Sequence, residues 1–156
     1  MAMAATTFVS QNIGAGKLDR ARRGTFITIM MSVIVTAVIA VVLVIFAESA
    51  IGLFTDDEDV IIAGALFVHW NTFFLLLNCV NHVLASALRG RGDSRGPMII
   101  MLATFVGIRQ IYLFVITHYV ANLPVLVGLG YPVGWTTCFI IEVSYYFIRY
   151  GRKKEE

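Results

Sequence analysis

Charge is scarce in this chain. Asp, Glu, Lys and Arg make up 14% of its 156 residues and hydrophobic residues 58%, whereas a typical soluble domain is about 25% charged and roughly 45–50% apolar. An ordinary soluble fold is excluded. Cysteine is almost lacking, and the two present, Cys79 and Cys138, fall inside apolar runs. That excludes a disulfide scaffold or a thiolate zinc site and leaves both as packing residues. The net charge of +2 is too small to suggest nucleic acid as a partner. No Ser-His-Asp set, metal cluster or paired carboxylates can be assembled, so neither an enzyme nor a cofactor is expected. Gly14-Ala15-Gly16-Lys17 lacks the spacing and the hydroxyl of a phosphate loop.

What the chain has instead is long uncharged runs: 24 residues from Gly24 to Ala47, 29 from Val60 to Leu88 and 32 from Gln110 to Ile141. A membrane span needs about 20. The pattern predicts an all-α transmembrane fold, a four-helix membrane bundle in the lipid bilayer, with spans at residues 25–47, 60–88, 97–120 and 132–148. The first would be about 35 Å long, enough to cross a hydrocarbon core of roughly 30 Å with some tilt. It follows Arg20, Arg22 and Arg23 but is too long for a signal peptide, whose apolar core is about 7–15 residues. Pro97 and Pro132 suit first-turn positions, where no amide hydrogen bond is lost. Residues 1–24 read as the end of a preceding helix followed by a cytoplasmic loop or interfacial segment, with a disordered leader as the alternative. Residues 149–156 form a basic tail.

Basic residues set the orientation, because Lys and Arg near span ends stay in the cytoplasm. Lys17, Arg20, Arg22 and Arg23 precede the first span; Arg89, Arg91 and Arg95 lie between the second and third; Arg149, Arg152, Lys153 and Lys154 follow the fourth. The two loops on the other side, Glu48 to Asp59 and Ala121 to Tyr131, contain none. The expected location is therefore the cell membrane, with both termini cytoplasmic. Tyr145, Tyr146 and Tyr150 fit an aromatic belt beside the tail.

Polar groups within spans are expensive and usually face protein or water. On the second span, Asn71, Asn78 and His82 fall within about 40° of one another at 100° per residue. Two readings fit that stripe: the lining of a cavity, or hydrogen bonds between helices worth about 0.6 kcal/mol each. His69 points to nearly the opposite face. Arg109 lies 12 residues into the third span, near the midplane, at a cost of about 2.5–3.5 kcal/mol unless it is partnered or wet. Glu142 is the one acid within a span. Either Arg109 reaches down to it or its carboxyl reaches the interface beside Arg149. The loop Arg89-Gly90-Arg91-Gly92-Asp93-Ser94-Arg95-Gly96-Pro97 suggests a left-handed Gly90 closing one helix, and Asp93 or Ser94 capping the next. Its Arg-Gly-Asp tripeptide is a chance match in a loop expected to be cytoplasmic.

Two segments carry a family resemblance. Ser10-Gln11-Asn12-Ile13-Gly14-Ala15-Gly16 followed by Arg20-Ala21-Arg22, and Ala87-Leu88-Arg89-Gly90-Arg91-Gly92-Asp93-Ser94-Arg95 with Pro97, resemble loop motifs of the multidrug and toxic compound extrusion (MATE) antiporters. Arg109, Tyr112 and Tyr131-Pro132-Val133-Gly134-Trp135 are similar to the family's last two helices. The resemblance covers essentially the whole chain, although Ser94 stands where Thr is commoner. It implies part of a twelve-helix transporter in two six-helix halves, with the four spans matching the ninth to twelfth and the N-terminal helices missing. It further implies export of small organic cations driven by sodium ion or proton influx. The second span, matching the tenth helix, has no acid, so a second-half cation site is not carried over. Such a chain would be inactive alone. Alternatives are an inert truncated remnant, a related lipid or polysaccharide flippase, or a small dimeric four-helix exporter; the last relies on a first-helix glutamate that the first span lacks.

Overall fold

The computed structural model describes residues 1–120 and 124–151. Six helices account for nearly all of them: α1 (Ala2–Gly14), α2 (Leu18–Ile45), α3 (Ala47–Gly52), α4 (Glu58–Gly90), α5 (Arg95–Val120) and α6 (Val125–Tyr150). Among the described residues there is no strand. Four of the helices, α2, α4, α5 and α6, are long and apolar enough to cross a membrane, so the fold is an all-α transmembrane bundle. Arg152, Lys153 and Lys154 of the expected tail, and residues 121–123 of the expected loop, lie outside the described residues.

The helices run beyond the apolar stretches that mark them. α2 begins at Leu18, not Thr25, because nothing in Asp19-Arg20-Ala21-Arg22-Arg23 opposes helical geometry and charged side chains can project past the hydrocarbon edge. The basic stretch after Gly16 is therefore the first turns of α2 rather than a separate interfacial helix. Gly16 takes a left-handed φ of 71°, which turns the chain between α1 and α2. α4 starts at Glu58, two residues before the uncharged run, where the Asp57 carboxylate accepts from the Asp59 amide at 3.0 Å and caps the helix. At its other end α4 continues through Gly90, and Gly92 (φ 85°) makes the left-handed turn instead. α5 contains π-helical turns at Ala103–Ile108 and Ile116–Val120. α6 is broken at Leu129 before its main segment, Gly130–Tyr146.

α4 is the centre of the bundle, contacting α1, α2, α3, α5 and α6. Association of helices in lipid depends on close packing, which small side chains permit. The buried apolar set accordingly includes Ala5, Ala21, Ala40, Ala47, Ala65, Ala85 and Ala87. From Val83 to Leu88 every residue of α4 is buried. This is the longest run of consecutive buried residues among those described, and it sits at the end bearing the basic residues. There, Val9 and Ile13 of α1 pack with Ala21 and Ala87, and the Thr6 hydroxyl donates to the Ser86 carbonyl at 3.0 Å. Gly90 permits this approach: a Cβ there would meet the Thr6 carbonyl oxygen at 2.6 Å.

Candidate functional site

The polar stripe of α4 divides by depth. Asn71, the nearest of the three to the acidic loop, is half-buried beside Gly128 of α6, with its amide turned back to the Phe67 carbonyl at 3.0 Å. Asn78, about two turns farther along, is half-buried, and its Oδ1 accepts no hydrogen bond among the described residues. His82 is exposed. With Cys79 and Val83 it lines an open recess of about 290 Å³, completed by Met1 and Ala2 of α1 and by Ser32, Val35 and Thr36 of α2. The Ser32 hydroxyl donates to the Met1 sulfur at 3.2 Å. Hydroxyls, thiol and imidazole thus meet on a face of the bundle at membrane depth. His69, on another face, is exposed and approaches the Val44 carbonyl at 3.2 Å.

A second polar array lies in the seam between α4, α5 and α6, and sequence reasoning missed most of it. Asn81, fully buried, donates from Nδ2 to the Trp135 carbonyl at 3.0 Å. Thr104 of the first π-helical turn is also fully buried, its hydroxyl returned to the Ile100 carbonyl at 2.8 Å. Gly134 lets α6 approach that turn, since a Cβ there would lie 3.4 Å from the Thr104 carbonyl oxygen. The available signal was the recurrence of Asn78, Asn81, Ala85 and Leu88 at intervals of three and four, a helical stripe rotated from the one through Asn71, Asn78 and His82.

The two intramembrane charges are not paired with each other. Arg109 places its guanidinium 3.8 Å from the centre of the Tyr131 ring, where the negative face of the aromatic system attracts it. Glu142 is 0% exposed, with the Cys138 thiol donating to Oε2 at 3.7 Å. It neither meets Arg109 nor reaches the interface. Helix geometry explains the separation: Tyr131 and Glu142 are 11 residues apart on α6, about 16 Å.

Around the loop between α4 and α5, α6 supplies the partners. The Asp93 carboxylate accepts the Gly96 amide at 3.0 Å, capping α5, and the Tyr145 hydroxyl at 2.5 Å. The Tyr145 hydrogen bond first, and the Gly96 amide second, hold its carboxyl below the usual aspartate range. Ser94 makes no side-chain cap. Arg91 lies over the rings of Tyr146 and Tyr150, 5.4 and 4.7 Å from their centres. Arg89 donates to the Ser86 hydroxyl at 2.8 Å, Pro97 is buried, and Gly92 and Arg95 are exposed. In the other loop motif, Asn12 donates to the Phe8 carbonyl at 2.8 Å, while Gln11 and Gly14 are exposed. The two loop motifs are brought to one end of the bundle by the packing of α1 on α4.

A family model described as MatE matches residues 1–115, which contain both of those loops. The chain belongs to the MatE family. Its relatives include Probable multidrug resistance protein YoeA of Bacillus subtilis, 25% identical over 99% of this chain and 33% of its own length. Probable multidrug resistance protein NorM of Pasteurella multocida is 26% identical over 96% of this chain and 32% of its own length. Multidrug resistance protein MdtK of Yersinia enterocolitica is 24% identical over 90% and 32%. This MatE chain therefore spans about a third of the length of these relatives. No solved structure matches it. Both loop motifs lie in the part that the family model covers, as do α2 and α4, two of the four helices long and apolar enough to cross a membrane.

Proposed function

We propose that this chain supplies four helices of the second half of a cation-coupled multidrug antiporter in the cell membrane. In this reading it works only together with further helices, is inactive alone, exports small organic cations and uses sodium ion or proton influx. The observation that carries the reading is the open recess between α1, α2 and α4. His82, Cys79, Ser32 and Thr36 line it at membrane depth, where polar groups left facing lipid would be an uncompensated cost. A transporter of alternating-access type needs such a surface at the interface of two halves. Asn78 follows His82 on the same stripe of α4 toward the acidic-loop end, so additional helices packed on this face would enclose a polar route. α5 and α6 support α4 from its other sides.

The test is ethidium accumulation in cells lacking their own exporters. The chain alone is expected to leave accumulation unchanged. Co-expressed with the first eight helices of a MatE-family relative, it is expected to lower accumulation, and Asn78→Leu to abolish that lowering with assembly intact. Efflux by the chain alone, lost when the ion gradient is collapsed, would overturn the reading in favour of a small oligomeric exporter.

A further inference from the structure

Glu142 is the buried ionisable group that no contact explains. It sits on α6, eight residues or about 12 Å from Tyr150, with no exposed surface. Among the described residues, one carboxyl oxygen receives only the Cys138 thiol, at 3.7 Å, and the other, Oε1, has no hydrogen-bond partner. A carboxylate in a protein interior normally gathers several strong donors or a cation. The groups facing it from its neighbours are few. α4 contributes Arg89, whose guanidinium is turned to the Ser86 hydroxyl at 2.8 Å. α5 contributes the neutral Thr104, and α6 itself Cys138. Arg109, the intramembrane cation, is held over Tyr131. The wall opposite α6 is the π-helical turn Ala103–Ile108, an irregularity that recurs at functional sites.

From this geometry we infer that Glu142 is a proton-exchange site in the seam of α4, α5 and α6. The seam as built accepts a neutral carboxylic acid. Releasing the proton breaks the carboxyl O–H bond, passes the proton to water at the basic end, and leaves a carboxylate that needs a partner. Arg89 of α4 acts on the carboxyl electrostatically from its place on Ser86, so proton release is linked to this end of α4. This deepens the proposed function by naming protons as the ion exchanged, and it rests on that reading for its role in transport, though not for the binding itself.

The experiment uses the full chain in phosphatidylcholine nanodiscs and the probe N,N′-dicyclohexylcarbodiimide, which modifies protonated carboxyls in apolar surroundings. Peptide mass mapping is expected to place the label on Glu142. Incorporation should fall as the solution is taken from acid to alkaline pH, and Glu142→Gln should abolish it. Infrared difference spectra over the same range should show a protonated-carboxyl carbonyl band that disappears on alkalinisation and is missing in Glu142→Gln. If that variant fails to fold, the mapped site and the infrared titration of the unsubstituted chain decide the matter. No label at Glu142, or a label and band indifferent to pH, would overturn the inference. Absence of drug efflux in the assembled transporter would sink the antiporter reading while leaving the labelling result untouched, so the two failures are distinguishable.

Discussion

Asp93 shows how much a single side chain can organise at the basic end. It caps α5 through the Gly96 amide and anchors α6 through Tyr145, so one carboxylate ties a loop to two helices. Removing the phenol hydroxyl with Tyr145→Phe is expected to destabilise the chain by about 1 kcal/mol. A charge-assisted hydrogen bond is worth about 1.5–3 kcal/mol, discounted here for the solvent around the loop. The pH dependence follows from the direction of the Asp93 shift. Because its folded-state value lies below the ordinary one, the stabilisation is complete above the ordinary aspartate range and is lost as pH falls through the folded value. The gap in thermal stability between the chain and Tyr145→Phe should therefore be full at neutral pH and close only in acid. A gap independent of pH would show that the hydroxyl acts without the carboxylate. Arg109 presents a different case, since its partner is a ring rather than an acid. Tyr131→Phe keeps the ring and should leave the melting temperature nearly unchanged, whereas Tyr131→Leu should cost about 2 kcal/mol, the value of a desolvated cation–π contact. Equal effects of the two substitutions would assign the stabilisation to the hydroxyl instead.

Among elements, the contact of α1 with α4 is the one most exposed to a small change. A Cβ at Gly90 would lie 2.6 Å from the Thr6 carbonyl oxygen and 2.9 Å from the Val9 Cβ, and neither atom is the flexible end of a side chain. Gly90→Ala is expected to push α1 away and cost about 1–3 kcal/mol. Gly14→Ala, with nothing within 4 Å of the added Cβ, should be silent. Differential scanning calorimetry, with limited proteolysis at the turn between α1 and α2, would report both, and equal behaviour of the two variants would refute the close approach. The same scale shows what the sequence made legible. The four spans could be read because hydrocarbon excludes charge, and that rule acts along the long apolar parts of α2, α4, α5 and α6. Their ends could not, since Leu18–Arg23 and Arg89-Gly90 are compatible with helix and the choice between helix and loop lay with packing. Gly92 rather than Gly90 took the left-handed turn because Gly90 was needed for a close approach to Thr6, 84 residues away in sequence. A helical wheel placed Asn71, Asn78 and His82 on one stripe but could not say what packs against it. Asn81, 60° from Asn78 on that wheel, proved fully buried against Trp135. The π-helical turn beside Glu142 has no signature in the residues that form it.

For the whole molecule the governing asymmetry is charge. Arg22, Arg89, Arg91 and Arg149 come to one end of the bundle, where Arg22 donates to the Tyr150 carbonyl at 2.9 Å and Arg91 stacks on Tyr146 and Tyr150. The opposite end carries Glu48, Asp56, Asp57, Glu58 and Asp59, on α3, in the turn that follows it and at the start of α4. A bundle with this polarity has one favoured orientation, because Lys and Arg adjoining a span resist translocation whereas Asp and Glu do so only weakly. The acidic end is expected outside the cell and the termini inside. Single cysteines read this out in intact cells, with Cys79→Ala removing the partly exposed native thiol while Cys138 remains buried. Asp56→Cys, on an exposed position of the acidic turn, should react with a membrane-impermeant maleimide in intact cells. Ala15→Cys, exposed between α1 and α2, should react only after permeabilisation. The reverse pattern would invert the bundle, and labelling of both positions in intact cells would mean mixed insertion. Either result would show that the basic residues at this end act in contacts with Tyr146, Tyr150 and Ser86 without also fixing the side of the membrane on which they lie.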